Sequence, residues 1–144
     1  MSRVIHVDNP GKRRNQARRS IAEILRLLGR KTAIDDEARD MSAMLVYLLR
    51  EIKETVDESA AAWEKRGYWM KVERFVRDWE WIPELAANID DVIRHEAWDL
   101  LPELLADLSP HFDDIHIKTM TRKPSDWRGA YRKLLAEPPA AVTY

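Results

Sequence analysis

The chain has 144 residues, of which 45% are hydrophobic and 34% are charged, and its formal net charge at pH 7 is −1. This balance predicts a folded, helix-rich protein rather than a disordered one, and the absence of cysteine excludes disulfides, thiolate metal sites and a cysteine nucleophile. The N-terminus lacks the apolar segment of a signal peptide and no apolar run approaches the roughly 20 residues that span a bilayer, so we predict a cytoplasmic protein with no membrane partner.

Charge is unevenly distributed along the chain. Residues 1–31 carry a net charge of +7, residues 32–116 a net charge of −12, and residues 117–144 a net charge of +4. Such asymmetry indicates an anionic partner or complementary contacts between copies of the chain. The basic ends and the acidic middle are therefore candidates for functional surfaces.

The first predicted helix follows a short N-terminal arm at residues 1–9. Asn9 and Pro10 are a typical N-cap and first helical position, and Gly29 is a typical C-terminal stop. Apolar residues recur at three- and four-residue intervals between them. The helix is therefore predicted to run from Pro10 to about Leu28, with one apolar stripe.

A second, longer helix is predicted after it. Thr32 and Asp35 resemble a capping box at its start. The apolar spacing then continues to Arg66, next to Gly67, which can break a helix. At 1.5 Å per residue this helix would be on the order of 50 Å long.

Two further helices are predicted on either side of Pro83. The third runs from Tyr68 to Trp81, and Pro83 is expected to force a boundary or kink at Ile82. The fourth helix places its apolar positions at residues 85–93.

A short fifth helix is predicted next, with Asp99 as its cap and Pro102 in its first turn. Ser109 and the proline after it are expected to end this helix. Residues 110–124 then predict a loop that contains a short extended piece.

A last helix is predicted from residue 126 to about residue 137, with Ser125 as its cap. Residues 138–144 predict a frayed tail. The side chains expected to face inward are Trp127, Tyr131, Leu134 and Leu135.

The fold class predicted from these elements is all-α. We expect a single domain over residues 1–144, in which residues 10–137 form a helical bundle of five to six helices, mostly up-and-down. Strand patterns are nearly absent from the sequence.

The first helix carries a ridge of positive charge opposite its apolar stripe. Four cations spaced by seven, seven and four residues share this face over about 27 Å, a length that can follow several phosphates. Glu23 lies on the same face, which favours the alternative of a solvated or internally paired surface. The nucleic-acid-binding residues in the first interpretation are Lys12, Arg19, Arg26, Arg30, Arg128 and Arg132.

Six tryptophans are many for this length, and four of them lie in residues 63–81. On one helix Trp79 and Trp81 would project about 200° apart, so a single core-facing stripe cannot hold both. Met70 falls near Trp81 on the helical wheel. Met70 and Trp81 are therefore predicted to form an interface, and the alternative is that Trp81 packs within the turn between helices.

Metal and catalytic chemistry have weaker candidates. His111, Asp113 and His116, together with Asp114, are metal-ligand types within six loop residues, and His95 is a further candidate ligand. Asp90, Arg94 and His95 lie within about one helical turn and form a polar patch. No zinc, phosphate-loop or nucleophile motif is present, so we predict no cofactor and no catalytic residues.

Three functions remain in order of preference. The first is a non-catalytic interaction or assembly protein that forms a homo-oligomer or binds a protein partner. The second is a small nucleic-acid-binding helical subunit that uses the basic first helix. The third is a metal-binding or enzymatic bundle.

Overall fold

The structure is a computed structural model that describes residues 9–139. These residues contain six α-helices, three short 3-10 helices and no strand, which confirms the all-α prediction for the described chain. Residues 1–8 of the predicted arm and 140–144 of the predicted tail lie outside the described residues. The α-helices are α1 Pro10–Leu28, α2 Asp36–Lys65, α3 Trp69–Asp78, α4 Trp81–Arg94, α5 Leu101–Leu108 and α6 Ala130–Ala136.

The predicted bounds of α1 are confirmed because its end signals are local. The Asn9 side chain accepts a hydrogen bond from the Lys12 backbone N–H at 2.7 Å, and Gly29 is the C-cap. The capping box predicted for α2 is wrong in one respect. Asp35 is itself the N-cap and accepts from the Ala38 N–H at 2.8 Å, so Thr32 lies outside the cap.

The boundary between α3 and α4 differs from the prediction. α3 ends at Asp78, and Trp81 is the first residue of α4 rather than the last residue of α3. Pro83 lies in the first turn of α4, where a missing backbone N–H removes no helical hydrogen bond. The proline therefore follows the helix break by several residues instead of causing it.

The start of α5 also differs from the prediction. Asp99 lies inside a 3-10 helix, Trp98–Leu100, and does not cap α5, whose N-cap Leu100 makes no side-chain hydrogen bond. Pro102 occupies the first turn, as predicted. A second 3-10 helix, Ser109–Phe112, extends the end of α5 before the predicted loop begins.

The last helix is shorter than predicted because Gly129 interrupts it. Pro124–Asp126 forms a separate 3-10 helix, and Gly129 adopts φ +85, a left-handed conformation that glycine tolerates best. Of the residues predicted to face inward, Trp127 and Leu134 are buried, whereas Leu135 is 42% exposed. Leu135 follows the buried Leu134 directly, and adjacent residues of a helix point about 100° apart.

α2 is the central helix, because α1, α3, α4 and α6 all pack against it. Its inner face is completely buried, and each fully buried leucine or isoleucine contributes roughly 1.5–3 kcal/mol to the free energy of folding. The largest fully buried side chains include Ile21, Ile24, Leu45, Leu49, Ile52, Ile89, Ile93 and Leu134.

None of the helices in the described part of the chain is both long and apolar enough to cross a membrane.

Candidate interaction surfaces

The loop that follows Phe112 lies along the middle of the basic ridge of α1. Arg19 donates a hydrogen bond to the Thr119 carbonyl at 2.7 Å, and Arg26 donates to the Ile117 carbonyl at 3.1 Å. Arg122 reaches back to α1 and donates to the Ser20 hydroxyl at 2.8 Å. The middle of the ridge therefore fixes a loop from the other end of the chain, which the sequence did not predict.

Glu23 is the residue that binds this loop most tightly. Its carboxylate is fully buried and accepts from the Thr121 N–H, the Thr121 hydroxyl, the Arg122 N–H and Arg19 Nε, all at 2.7–2.8 Å. Burial alone would raise the pKa of the Glu23 carboxyl. The hydrogen bonds from Arg122, Arg19 and Thr121 outweigh that effect and lower the pKa to about 2.

Two other arginines of α1 pair with acidic groups elsewhere in the fold. Arg13 contacts three glutamates on one face of α2, at residues 51, 54 and 58. Arg18 pairs with Asp114 at 2.6 Å, and the Arg18 guanidinium lowers the pKa of that carboxyl. Most of the positive charge in the first half of α1 is thus neutralised inside the molecule.

Arg14 is buried and forms no ion pair with a carboxylate of residues 9–139. Its guanidinium lies over the ring of Phe75, 4.9 Å from the centroid, and donates to the Ser59 hydroxyl at 2.9 Å. Its Nε is buried and has no hydrogen-bond partner among those residues, and burial lowers the pKa of the group. Arg14 therefore attaches α3 to the α1–α2 pair through packing and a cation–π contact.

The remaining predicted nucleic-acid residues lie on separate parts of the surface. Lys12 and Arg30 are exposed near the two ends of α1. Arg128 and Arg132 are exposed on the last segment, where α6 packs against α2. The structure therefore does not extend the α1 ridge with Arg128 and Arg132.

An exposed apolar surface lies where α2 turns into α3. Gly67 adopts φ +79 and reverses the chain after α2, and the Tyr68 N–H closes the turn on the Trp63 carbonyl at 3.1 Å. We call the exposed residues 68–70 together with Val76 the α2–α3 corner. Their exposed fractions are 48% for Tyr68, 65% for Trp69, 79% for Met70 and 42% for Val76.

Internal aromatic packing holds the α2–α3 corner in place. Trp63 at the end of α2 packs against Phe75 of α3, with ring centroids 4.7 Å apart. Lys71 lies over the Trp63 ring, 4.7 Å from its centroid. Val72 is the only buried residue of α3. Phe75 is partly buried, and the other residues of this helix are exposed.

Trp81 does not share a stripe with Met70, because the two residues belong to different helices. Trp81 is half-buried and stacks on His111, with ring centroids 3.6 Å apart, and its indole N–H donates to the Asp78 carbonyl. The wheel relation that joined Met70 to Trp81 is thus wrong, and the alternative in which Trp81 packs at the turn describes its contacts. Met70 remains exposed.

The loop residues considered for a metal are not brought together. His111 stacks on Trp81, and burial lowers the pKa of its imidazole. The carboxylate of Asp114 is bound by Arg18. Within residues 9–139 no three histidines or carboxylates approach one another closely enough to hold a metal ion, so Asp113 and His116 do not form a site with their neighbours, nor does His95 complete one.

The polar patch on α4 is structural. Arg94 pairs with the buried Asp90 at 3.0 Å and donates to the carbonyls of Leu134 and Glu137 at the end of α6. The Tyr47 hydroxyl donates to the Glu137 carboxylate; burial and this bond raise the pKa of Tyr47 to about 12. These groups connect α6 to α2 and α4.

No protein-family model, curated protein or solved structure matches this chain. The described surfaces are therefore the basis for a functional proposal. Sequence reasoning missed Trp69 and Tyr68, although three consecutive large apolar residues directly after a glycine are a signal for an exposed corner. It also missed Arg122 and the role of Glu23, for which the local sequence carries no signal.

Proposed function

We propose that this is a non-catalytic assembly protein whose α2–α3 corner docks on a second copy of the chain. The observation that supports the proposal is the exposure of Tyr68, Trp69 and Met70 next to one another on an otherwise well-packed bundle. Large apolar side chains that adjoin on a surface are typical of interaction sites. Tryptophan, tyrosine and methionine are the residue types enriched at such interfaces.

The charges around the α2–α3 corner favour a protein partner over an anionic membrane. Residues 64–66 read Glu-Lys-Arg, and on α3 the exposed Glu73 pairs with Arg77 at 2.7 Å. A rim of both signs is typical of protein interfaces, whereas membrane binding uses a cationic rim. Because the rim carries both signs, a two-fold axis can also place cations of one copy opposite anions of the other.

A non-catalytic role is consistent with how the described titratable groups are used. The buried carboxylate of Glu23 accepts hydrogen bonds from the loop that lies on α1. The buried carboxylate of Asp90 pairs with Arg94 within α4, and Arg94 donates to carbonyls at the end of α6. The shifted pKa values of Glu23 and Tyr47 arise from such structural contacts. We therefore assign the exposed apolar surface, and not a titratable cluster, to function.

Light scattering coupled to size-exclusion chromatography tests the proposal. The wild-type chain is expected to elute as a discrete oligomer and the Trp69→Glu/Met70→Glu variant as a monomer. Both positions lie in the first turn of α3, where glutamate is compatible with the helix dipole. Leu135→Glu is a matched control at an exposed leucine on α6 and should leave the oligomer intact. If the wild-type chain is a monomer at high protein concentration, self-assembly is refuted.

A further inference from the structure

A second surface is formed where the loop after α5 lies on α1. Residues 115–125 contain no acidic residue, and they bring two lysines and an arginine to α1, near the exposed Arg26 of that helix and the exposed Arg30 of the turn that follows it. We call this set the cationic face. Its members are Arg26, Arg30, Lys118, Arg122 and Lys123.

Hydrogen bonds between the two segments fix this arrangement. Arg26 bonds the carbonyl next to Lys118, at Ile117, with a distance of 3.1 Å. Arg122 Nη2 donates to the Gln16 carbonyl at 3.0 Å, next to its bond with Ser20. Cations that are about 90 residues or more apart in the sequence are thus held on one surface.

Positive charge exceeds negative charge at the cationic face. Among the described residues, none of the five cations forms an ion pair with a carboxylate. The guanidinium groups of Arg26 and Arg122 donate to carbonyl and hydroxyl oxygens, which leave the positive charge of each group in place. Glu23 beneath the face is fully buried and pairs with Arg19. Two exposed acids lie at the edges: Asp113 lines the same pocket as Arg26, and Asp126 accepts from the Lys123 backbone N–H at 2.9 Å.

We propose that the cationic face binds the phosphate backbone of double-stranded nucleic acid. Neighbouring phosphates of a duplex present a dense row of negative charge, and lysine and arginine contacts to it release counterions. The guanidinium of Arg26 is already oriented by a neutral acceptor and retains N–H donors that suit a phosphate. Arg30 lies in the turn directly after α1, four residues further along the chain, and is exposed.

The chemistry of the cationic face favours a duplex over a single strand. Single-strand binders stack bases on aromatic side chains. Residues 113–126 offer no aromatic side chain other than His116 on which a base could stack. Binding is expected to be independent of base sequence and to depend steeply on salt.

The proposal is tested by fluorescence anisotropy with a fluorescein-labelled 20-base-pair DNA duplex. If four or five phosphate contacts form, raising the salt from 50 to 200 mM should weaken binding on the order of 100-fold. Arg26→Gln/Arg30→Gln and, separately, Lys118→Gln/Lys123→Gln should each weaken binding at 50 mM about tenfold or more and reduce the salt dependence. The loop variant keeps the test valid if the helix variant loses stability.

Arg128→Gln/Arg132→Gln is the matched control, because it removes the same charge from the α6 side of the molecule. It is expected to bind the duplex like the wild-type chain. Absence of duplex binding at 50 mM salt would overturn the proposal, and so would an equal loss of affinity in the control variant. Binding of polyglutamate without binding of the duplex would also overturn it, and would assign the face to an acidic protein.

Discussion

Glu23 and Thr121 are 98 residues apart, yet the backbone N–H and the hydroxyl of Thr121 both donate to the Glu23 carboxylate at 2.7 Å. This pairing joins the first helix to the C-terminal loop and buries a charge at their contact. A buried carboxylate is stable there because Arg19 and the Arg122 N–H supply two further hydrogen bonds. The loop and the first helix are expected to unfold as one unit.

Glu23→Gln should destabilise the protein strongly. The substitution removes the charge that faces Arg19 and turns an amide N–H toward groups that are donors themselves, so the free energy of unfolding should fall by roughly 2–4 kcal/mol. Urea denaturation measures the change. Glu64→Gln at an exposed glutamate should stay within about 0.5 kcal/mol of the wild-type chain, and an equally small effect at Glu23 would refute the buried contact.

Lowering the pH should remove the stabilisation that the ionised Glu23 carboxylate contributes. The pKa of Glu23 is about 2 in the fold, against 4.5 for the free carboxyl, so its contribution is present above pH 4.5 and is lost as the pH falls toward 2. The expected loss is roughly 3 kcal/mol at 1.36 kcal/mol per pKa unit. Urea titrations between pH 6 and pH 2 should show a shallower decline for Glu23→Gln, and parallel curves would contradict the assignment.

Arg14→Met is expected to leave stability unchanged or to increase it. Arg14 is a buried cation that contacts the aromatic rings of Phe75 and Trp79 and one hydroxyl, so an apolar side chain of similar length keeps the packing and avoids the cost of burying charge. Arg14→Ala should lower the free energy of unfolding by about 1–3 kcal/mol because it leaves a cavity. Thermal denaturation distinguishes the two variants; a large loss in Arg14→Met would mean that the charge itself stabilises α3.

Gly67→Ala should cost about 1 kcal/mol of stability through backbone strain alone. Gly67 has φ +79, and a methyl group there would meet no atom within 4 Å. Gly67→Asn should be tolerated better, since asparagine visits the left-handed region more readily. Chemical denaturation of both variants tests this order, and equal stability of all three proteins would show that the turn relaxes.

The parts of the fold that were predictable are those with local signals. The bounds of α1 follow from Asn9, Pro10 and Gly29, and the end of α2 follows from Gly67, all through interactions within a few residues. The break between α3 and α4 was placed wrongly because apolar residues continue across Trp79–Trp81 and because a proline is tolerated in a first helical turn. The apolar pattern around Trp79–Trp81 does not distinguish one kinked helix from two separate helices.

The candidate surfaces were predictable only in part. The α1 ridge is visible in the sequence, but its coverage depends on Arg122 and Thr121, nearly 100 residues away. Of the two predicted interface residues, Met70 is exposed, whereas Trp81 packs on His111 through a contact between distant segments. Periodicity reports which residues share a helix face; it does not report which other element covers that face.

The most direct test of self-assembly is the distance between copies at the α2–α3 corner. The chain has no cysteine, so Arg74→Cys, one turn after Met70 on α3, can carry a single nitroxide spin label without removing an apolar residue of the corner. Double electron–electron resonance should then show a short, defined distance between protomers, and the Arg132→Cys control on α6 should show a longer one. A signal with no defined distance for the Arg74→Cys label would contradict assembly through this surface.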